Sequence, residues 1–217
     1  AVHYHRSAAE AGRLVAAMNA KRPASAAAFG ADLADLKALE VLPSSVIGTL
    51  GALDVLVNNA STFYPTPVGT ITPAQFEDLI GTNLRAPLFL SQAAAPELRR
   101  QKGLILNIAD IHGLRPLGRH AVYCAAKAAL VMLTQSLARE LGPEIRVNAI
   151  APGPVMWPEN GVDDDLRARI VARTALKRSG SPDDVARAAI FFATGAPFVT
   201  GQVLAVDGGR LIGGEDR

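Results

Sequence analysis

Cysteine, charge and long apolar runs are all scarce in this sequence of 217 residues, and each shortage excludes a class of protein. The one cysteine, Cys124, excludes an internal disulfide framework and fits a reducing compartment. The net charge of +2 comes from scattered basic residues, which predicts no nucleic-acid partner. No uninterrupted apolar run reaches the roughly 20 residues that cross a bilayer, and no signal peptide opens the chain. We therefore expect a cytoplasmic protein with no membrane partner.

A glycine-rich turn is also missing. In a doubly wound sheet the first strand lies at the centre, and the glycine-rich turn after it holds the pyrophosphate of a dinucleotide. No Gly-x-x-x-Gly-x-Gly sequence occurs near the start of this chain. A sheet without its central strand would leave two neighbouring strands unpaired. We therefore expect that the numbering begins late, and that about one strand, turn and helix lie upstream of Ala1.

Segments typical of strands alternate with segments typical of helices along the sequence. This alternation predicts a single doubly wound α/β domain, Rossmann-like, over residues 1–217, with a parallel sheet covered on both faces. Ser7, with a glutamate three residues later, predicts a capping box at a helix start. Pro43 predicts that the helix around it is interrupted and restarts there. A further helix is expected to be irregular at Asn83 or Pro87.

Tyr123 and Lys127 form the centre of the predicted active site. They stand four residues apart in an Ala- and Leu-rich segment, so they share one face of a helix. A fixed ammonium near a phenol favours the phenolate, so we expect Lys127 to lower the pKa of Tyr123 from its usual value of ~10. Asp110 follows an apolar run (104–109) that predicts a buried strand, and ligands sit beyond the carboxyl ends of such strands. The three side chains are expected to converge on one cleft, where the tyrosine could transfer a proton.

These residues resemble the short-chain dehydrogenase/reductase family in their spacing. The resemblance rests on a set of motifs spread over nearly the whole chain: Tyr123-x-x-x-Lys127, a polar residue thirteen positions before that tyrosine, Asn58-Asn59-Ala60, Asn83, and Pro152-Gly153. Most members carry serine at the position of Asp110. The departure resembles the pteridine reductase branch, together with two further segments: His5-Arg6-Ser7 and Asn59-Ala60-Ser61-Thr62-Phe63-Tyr64-Pro65.

NADPH/NADP is the cofactor that the resemblance implies. His5, Arg6 and Ser7 follow the second strand of that fold, where NAD-binding members carry an acidic residue for the ribose hydroxyls. An imidazole, a guanidinium and a hydroxyl there suit a 2′-phosphate, although a helix cap and a solvated arginine are also open. The resemblance implies further cofactor-binding residues: Asp32 and Leu33 at the adenine, Asn59, Ala60 and Ser61 after a strand, Tyr123 and Lys127 at the nicotinamide, and Pro152 and Gly153.

A pteridine is the substrate that the resemblance implies. Phe63 is expected to stack on the flat pterin, which would lie between this ring and the nicotinamide. Ser61, Asp110 and Tyr123 are implied as further substrate-binding residues. Trp157 lies on a loop expected to close over the substrate, and a role in packing is equally open.

The remaining polar side chains have simpler interpretations. The resemblance implies that Asn83 bends its helix and holds a water that links Lys127 to solvent in a proton relay. His112 and His120 have no second ligand pair at a metal-binding spacing, so no metal site is predicted. Cys124 points about 100° away from the neighbouring tyrosine around the helix, which favours packing over nucleophilic chemistry.

The predicted activity is NADPH-dependent reduction of dihydropterin to tetrahydropterin, with reduction of oxidised pterin also open. Tyr123 would donate the proton, Lys127 and Asn83 would support it, and Asp110 would orient Tyr123 and bond a pterin nitrogen. Two alternatives stay open: a carbonyl reductase of the same family acting on a 3-oxoacyl or other ketone, and an NADP-binding sensor that has lost turnover. A carboxylate would repel the oxyanion of a ketone, so Asp110 favours the pteridine. Biopterin, monapterin and folate are not distinguished.

A homotetramer is expected because family members are usually tetramers built from two-fold symmetric dimers. Their long helices pack against the same helices of a neighbouring subunit. The helix that carries Tyr123 has a face of small and aliphatic side chains that would allow close approach: Ala125, Ala129, Leu133 and Leu137.

Overall fold

The computed structural model describes residues 1–157 and 163–213, and these residues form six strands and seven α-helices. The strands are β1 (Val2–Tyr4), β2 (Ala28–Gly30), β3 (Val55–Asn58), β4 (Leu104–Ile108), β5 (Arg146–Pro152) and β6 (Val203–Val206). The helices are α1 (Ala8–Lys21), α2 (Leu36–Leu50), α3 (Pro73–Ile80), α4 (Ala86–Gln101), α5 (Ala121–Leu141), α6 (Asp164–Ala172) and α7 (Pro182–Ile190).

All strand pairings are parallel, and the strands form two sheets. The larger sheet has the order β3-β4-β5-β6, and the smaller one pairs β1 with β2. Within the described residues no ladder joins β1 to β3. The predicted parallel α/β fold is confirmed, with its sheet in two parts.

The two central strands of the larger sheet are buried on both faces. Neighbouring residues of a strand point to opposite faces, and β4 shows the consequence. Ile105 packs with Leu98 and Ala138 from helices α4 and α5 on one face. Leu106 packs with Phe192, which follows α7, on the other. The apolar side chains of β4 on both faces therefore match its burial between two layers.

A buried chain of hydrogen bonds fixes α5 against the sheet. Asn58 Nδ2 donates to Asn107 Oδ1 at 2.8 Å, and Asn107 Nδ2 donates to Thr134 Oγ1 at 2.9 Å. The Thr134 hydroxyl donates to the Leu130 carbonyl at 2.8 Å. Burying a polar group without a hydrogen-bond partner costs free energy. This series of hydrogen bonds therefore favours one position of α5 relative to β3 and β4. That position decides which α5 residues meet the end of β4.

Two local predictions are wrong and one is confirmed. Helix α2 runs through Pro43 without interruption, because the buried Leu39 and Val46 on either side of the proline hold it in the core. Ser7 precedes α1 but its side chain makes no capping bond, and the glutamate of the expected box pairs with an arginine instead. The expected irregularity at Asn83 is a π-helical turn, Gly81–Arg85, between α3 and α4.

Helix α5 is long and apolar enough to cross a membrane by length and composition alone, the one such helix in the described part of the chain. Core helices of globular domains meet the same criteria. The face of α5 that contacts the sheet includes the buried polar side chains of Lys127 and Thr134. Packing against the sheet therefore accounts for the apolar character of this helix.

Candidate active site

Asp110 and Tyr123 form a hydrogen-bonded pair at the carboxyl end of β4. The Tyr123 hydroxyl, in the first turn of α5, donates to Asp110 Oδ2 at 2.7 Å. The other carboxylate oxygen, Oδ1, accepts the backbone N–H of His112 at 2.8 Å. The second bond arises because the chain turns into a short 3₁₀ helix directly after Asp110. Both oxygens are thus held, and the carboxylate has one defined orientation towards the phenol.

Lys127 lies one helical turn beyond Tyr123 and is only 2% exposed. Its ammonium donates to the Ile108 carbonyl at 2.9 Å and lies 5.7 Å from the centre of the Tyr123 ring. Burial lowers the pKa of Lys127 to about 8, and the Asp110 carboxylate opposes that change. The ammonium therefore loses its proton in a pH range where an exposed lysine stays charged.

The expectation that Lys127 lowers the pKa of Tyr123 is wrong. Burial raises the pKa of Tyr123 well above its ordinary value, the charge and hydrogen bond of Asp110 raise it further, and the Ser61 hydroxyl acts in the opposite direction. The carboxylate accepts the hydrogen bond of the phenol directly, whereas the ammonium lies over the ring and donates to a backbone carbonyl. Tyr123 consequently keeps its proton at neutral pH.

Asn83 fastens the loop that follows β3 to the helix opposite. Its Oδ1 accepts the Ser61 hydroxyl at 2.6 Å, and its Nδ2 donates to the Thr62 carbonyl at 3.0 Å and to the Leu79 carbonyl at 2.9 Å. The π-helical turn brings this buried side chain into reach of both elements. The contacts give Asn83 a positioning role, and the proton relay stays a prediction.

Phe63 lies against two rings at the entrance to the site. It stacks on His120, with ring centres 4.7 Å apart and planes 11° apart. Its ring centre lies 4.8 Å from that of Tyr123, with the two planes at 78°. The ring is 47% exposed. His120 was not predicted in this role. Its position three residues before Tyr123, about one helical turn, is a signal that could have indicated the cluster.

The residues beyond β1 and β2 form a second group of predicted site residues. His5 Nε2 lies 3.8 Å from Asp32 Oδ2, so the ends of the two strands meet. Arg6 and Ser7 are exposed beside this pair. Leu33 instead packs against the core cluster between α2 and α4.

The remaining predicted residues lie at the ends of β3 and β5. Asn59 and Ala60 are exposed directly after β3. Pro152 ends β5, and a Cβ on Gly153 would approach the Asp207 backbone to 2.7 Å, so only glycine fits there. Trp157 lies 5.7 Å from the Arg167 guanidinium of α6, an arrangement typical of a cation–π contact. The rest of its loop, 158–162, lies outside the described residues.

Comparison with known proteins covers almost the whole chain. Residues 1–210 match the family model described as enoyl-(acyl carrier protein) reductase. Pteridine reductase 1 of Leishmania tarentolae is 35% identical, over 96% of this chain and 86% of that protein. The 3-oxoacyl-[acyl-carrier-protein] reductase FabG of Staphylococcus aureus is 33% identical, over 98% of this chain and 87% of that protein.

Two further similarities bear on activity and cofactor. A protein of Xanthobacter autotrophicus named inactive 2-(S)-hydroxypropyl-CoM dehydrogenase 2 is 38% identical, over 86% of this chain and 85% of that protein. The fold is similar to that of a blue fluorescent protein from a metagenomic library, crystallised in complex with NADPH. The TM-score is 0.89 at 35% identity, over 96% of this chain and 85% of that one.

Proposed function

The chain belongs to the short-chain dehydrogenase/reductase family, and we propose that it is an NADPH-dependent pteridine reductase. Membership makes it an NAD(P)-dependent oxidoreductase with a small-molecule substrate. The single observation that carries the finer proposal is the hydrogen bond from Tyr123 to Asp110. A carboxylate beside the proton donor can bond the ring nitrogens and amino group of a pterin. It would repel the oxygen of a ketone, on which negative charge develops.

The side chains present fit the two ends of NADPH. Arg6, His5 and Ser7 offer a guanidinium, an imidazole and a hydroxyl beyond β1, and the Ser7 side chain makes no capping bond that would compete. This set suits the 2′-phosphate, and Asp32 beyond β2 would bond the adenine amino group. Lys127 would hold the nicotinamide ribose. When bound, NADPH supplies the hydride.

Proton delivery is the task of the chain's own residues. Tyr123 is protonated at neutral pH because burial and Asp110 raise its pKa, so its hydroxyl is a donor and not a base. Asp110 holds that hydroxyl in one direction. Ser61 and Phe63 lie at the same site, the first fastened by Asn83 and the second stacked on His120. A flat heterocycle placed against Phe63 would be within reach of the phenol.

Two other activities belong to the same family and stay as alternatives. The similarity to the S. aureus protein supports a ketone reductase, and the similarity to the X. autotrophicus protein supports a chain without turnover. One set of assays distinguishes the three activities. It measures NADPH consumption by the purified protein with dihydropterins, dihydrofolate and simple ketones. Turnover of dihydropterins above ketones supports the proposal, and turnover of ketones alone refutes it. NADPH binding without any consumption favours the catalytically silent alternative.

A cytoplasmic location stays a prediction.

Replacing Arg6 with alanine should weaken NADPH binding far more than NADH binding. A charge-assisted contact to the 2′-phosphate is lost, which costs about 1.5–3 kcal/mol. Arg13→Ala is the matched control, because Arg13 is an exposed α1 residue whose partner is Glu10. Titration of both cofactors against the three proteins provides the measurement. An equal loss for NADPH and NADH would remove the assignment of Arg6.

A homotetramer is the proposed assembly, and α5 provides its test. Leu137, a member of the predicted face, is partly buried against a core cluster. The most exposed side chains on this helix include Ala125, Ala128 and Met132, the last 59% exposed. Met132→Glu is expected to convert tetramers into smaller species in sedimentation velocity, and Met18→Glu on α1 should not. A parent protein that sediments as a monomer at micromolar concentration would refute the proposal.

A further inference from the structure

Three arginines line a cavity next to the Asp110–Tyr123 pair. The cavity has a volume of about 210 Å³. Arg115 comes from the segment after β4, Arg173 from the end of α6 and Arg210 from the segment after β6. These segments are far apart in the sequence, so only the fold assembles the cluster.

The positive charges of this cluster lack compensation among the described residues. None of the ion pairs there includes Arg115, Arg173 or Arg210. The carboxylate of Asp207, close in sequence, accepts the backbone N–H groups of Gly209 and Leu211 instead. Burial, with the charges of Arg173 and Arg115, lowers the pKa of Arg210. Repulsion of this kind is relieved when an anion binds.

His112 connects the cavity to the catalytic pair. It lines the cavity together with Ile111, and its backbone N–H donates to Asp110 Oδ1 at 2.8 Å. The cavity therefore begins within two residues of the carboxylate that faces Tyr123. A substrate whose ring lies at Asp110 could extend its substituent in this direction.

We propose that the three-arginine cavity is a subsite for an anionic tail of the substrate, either a phosphate ester or a pair of carboxylates. A guanidinium group can form two parallel hydrogen bonds to two oxygens of either anion. This inference rests on the proposed function, because it assigns the ring of the substrate to Asp110 and Tyr123. It adds that the substrate is charged at the end remote from the reacting atoms.

Kinetics with two pteridines test the subsite. Dihydrofolate carries the carboxylates of its glutamate, and dihydrobiopterin carries a neutral side chain. In the Arg115→Gln/Arg173→Gln variant, the KM for dihydrofolate should rise roughly tenfold or more, since charge-assisted bonds are lost. The KM for dihydrobiopterin and both kcat values should stay unchanged. Arg22→Gln, at the exposed end of α1, is the control. Equal changes for the two substrates would overturn the inference.

Binding of inorganic phosphate provides a readout that does not need turnover. Calorimetry should show binding to the parent and at least a tenfold loss in the double variant, and phosphate should compete with dihydrofolate but not with dihydrobiopterin. If no pteridine is reduced while this arginine-dependent binding persists, the proposed function fails and the anion site stands. Phosphate that binds without competing identifies a separate anion site and overturns the substrate subsite. Equal binding by parent and variant overturns the site itself.

A variant of two acidic residues of this chain provides the last control experiment. Glu215 and Asp216 follow the cavity-lining Gly213 in the sequence. The Glu215→Gln/Asp216→Asn variant should bind phosphate as the parent does. A clearly higher affinity would mean that these carboxylates compete for the arginines, and it would overturn the assignment to substrate.

Discussion

Replacing Asp110 with serine is expected to slow dihydropterin reduction by ~10²–10⁴-fold, because an acid/base group is lost from the site. The carboxylate accepts the Tyr123 hydroxyl at 2.7 Å and holds it in one direction. Serine has a single oxygen, so it cannot bond the Tyr123 hydroxyl and the His112 backbone N–H through two separate oxygens as the carboxylate does. Binding of NADPH should change little, since Arg6 and Lys127 are untouched.

The same substitution should also change the pH dependence of the reaction. Asp110 raises the pKa of both Tyr123 and Lys127, so removal of its charge lowers both values. The Lys127 ammonium, with a pKa of about 8 in the parent, would then lose its proton at lower pH. We expect the alkaline limb of the kcat/KM profile to move to lower pH in Asp110→Ser.

Controls separate chemistry from charge and folding. Asp183→Ser removes an exposed carboxylate from the first turn of α7 and should leave turnover unchanged. Asp110→Asn keeps the shape of the side chain, removes its charge and replaces one acceptor oxygen with an NH₂ donor. Ketone reduction measured on the serine variant should be equal to or above that of the parent, because a neutral donor suits an oxyanion. If Asp110→Ser reduces dihydropterin as fast as the parent, Asp110 takes no part in the chemistry.

Lys127→Met is expected to abolish most activity, at least ~10²-fold, and yet to make the protein more stable. The pKa of this lysine is lowered from its ordinary 10.5 to about 8, which corresponds to roughly 3 kcal/mol of destabilisation at neutral pH. The methionine variant loses the hydrogen bond to the Ile108 carbonyl, which costs about 1 kcal/mol and offsets part of the gain in stability. A net gain of about 2 kcal/mol should raise Tm by about 4–8 °C.

The gain in stability depends on pH in a defined direction. The unfolded chain keeps the lysine proton up to its ordinary pKa of 10.5, whereas the native protein releases it near 8. Between these values the unfolded state binds more protons, so the stability of the parent rises with pH. The advantage of the methionine variant should therefore be full below pH 8 and disappear towards 10.5.

Denaturant unfolding at several pH values measures this effect. Lys37→Met, at an exposed position of α2, is the control and should show no such pH-dependent gain. A methionine variant that is less stable than the parent at neutral pH would show that the ammonium stabilises the fold. The burial argument for its lowered pKa would then be wrong. The activity loss is measured on the same preparations.

The sequence alone determined the class of fold and the identity of the central pair. A mostly apolar strand such as 104–109 is stable only when it is covered on both faces, and its alternation with helical segments then favours a parallel sheet. Tyr123 and Lys127 share a helix face because their spacing is local. The π-helical irregularity at Asn83 and the start of α3 at Thr72, a capping box, were predictable for the same reason. Local rules suffice where the interacting residues are close in sequence.

Only the tertiary structure decided the electrostatics and the remote contacts. The pKa of Tyr123 rises where the sequence predicted a fall, because burial and the orientation of Asp110 are properties of the packed site. Pro43 stays helical because core contacts on both sides outweigh the lost backbone bond. Phe63 stacks on His120, 57 residues further along the chain, and the three converging arginines are 58 and 37 residues apart in the sequence. No spacing rule reaches across such distances, since the fold and not the chain sets which side chains meet.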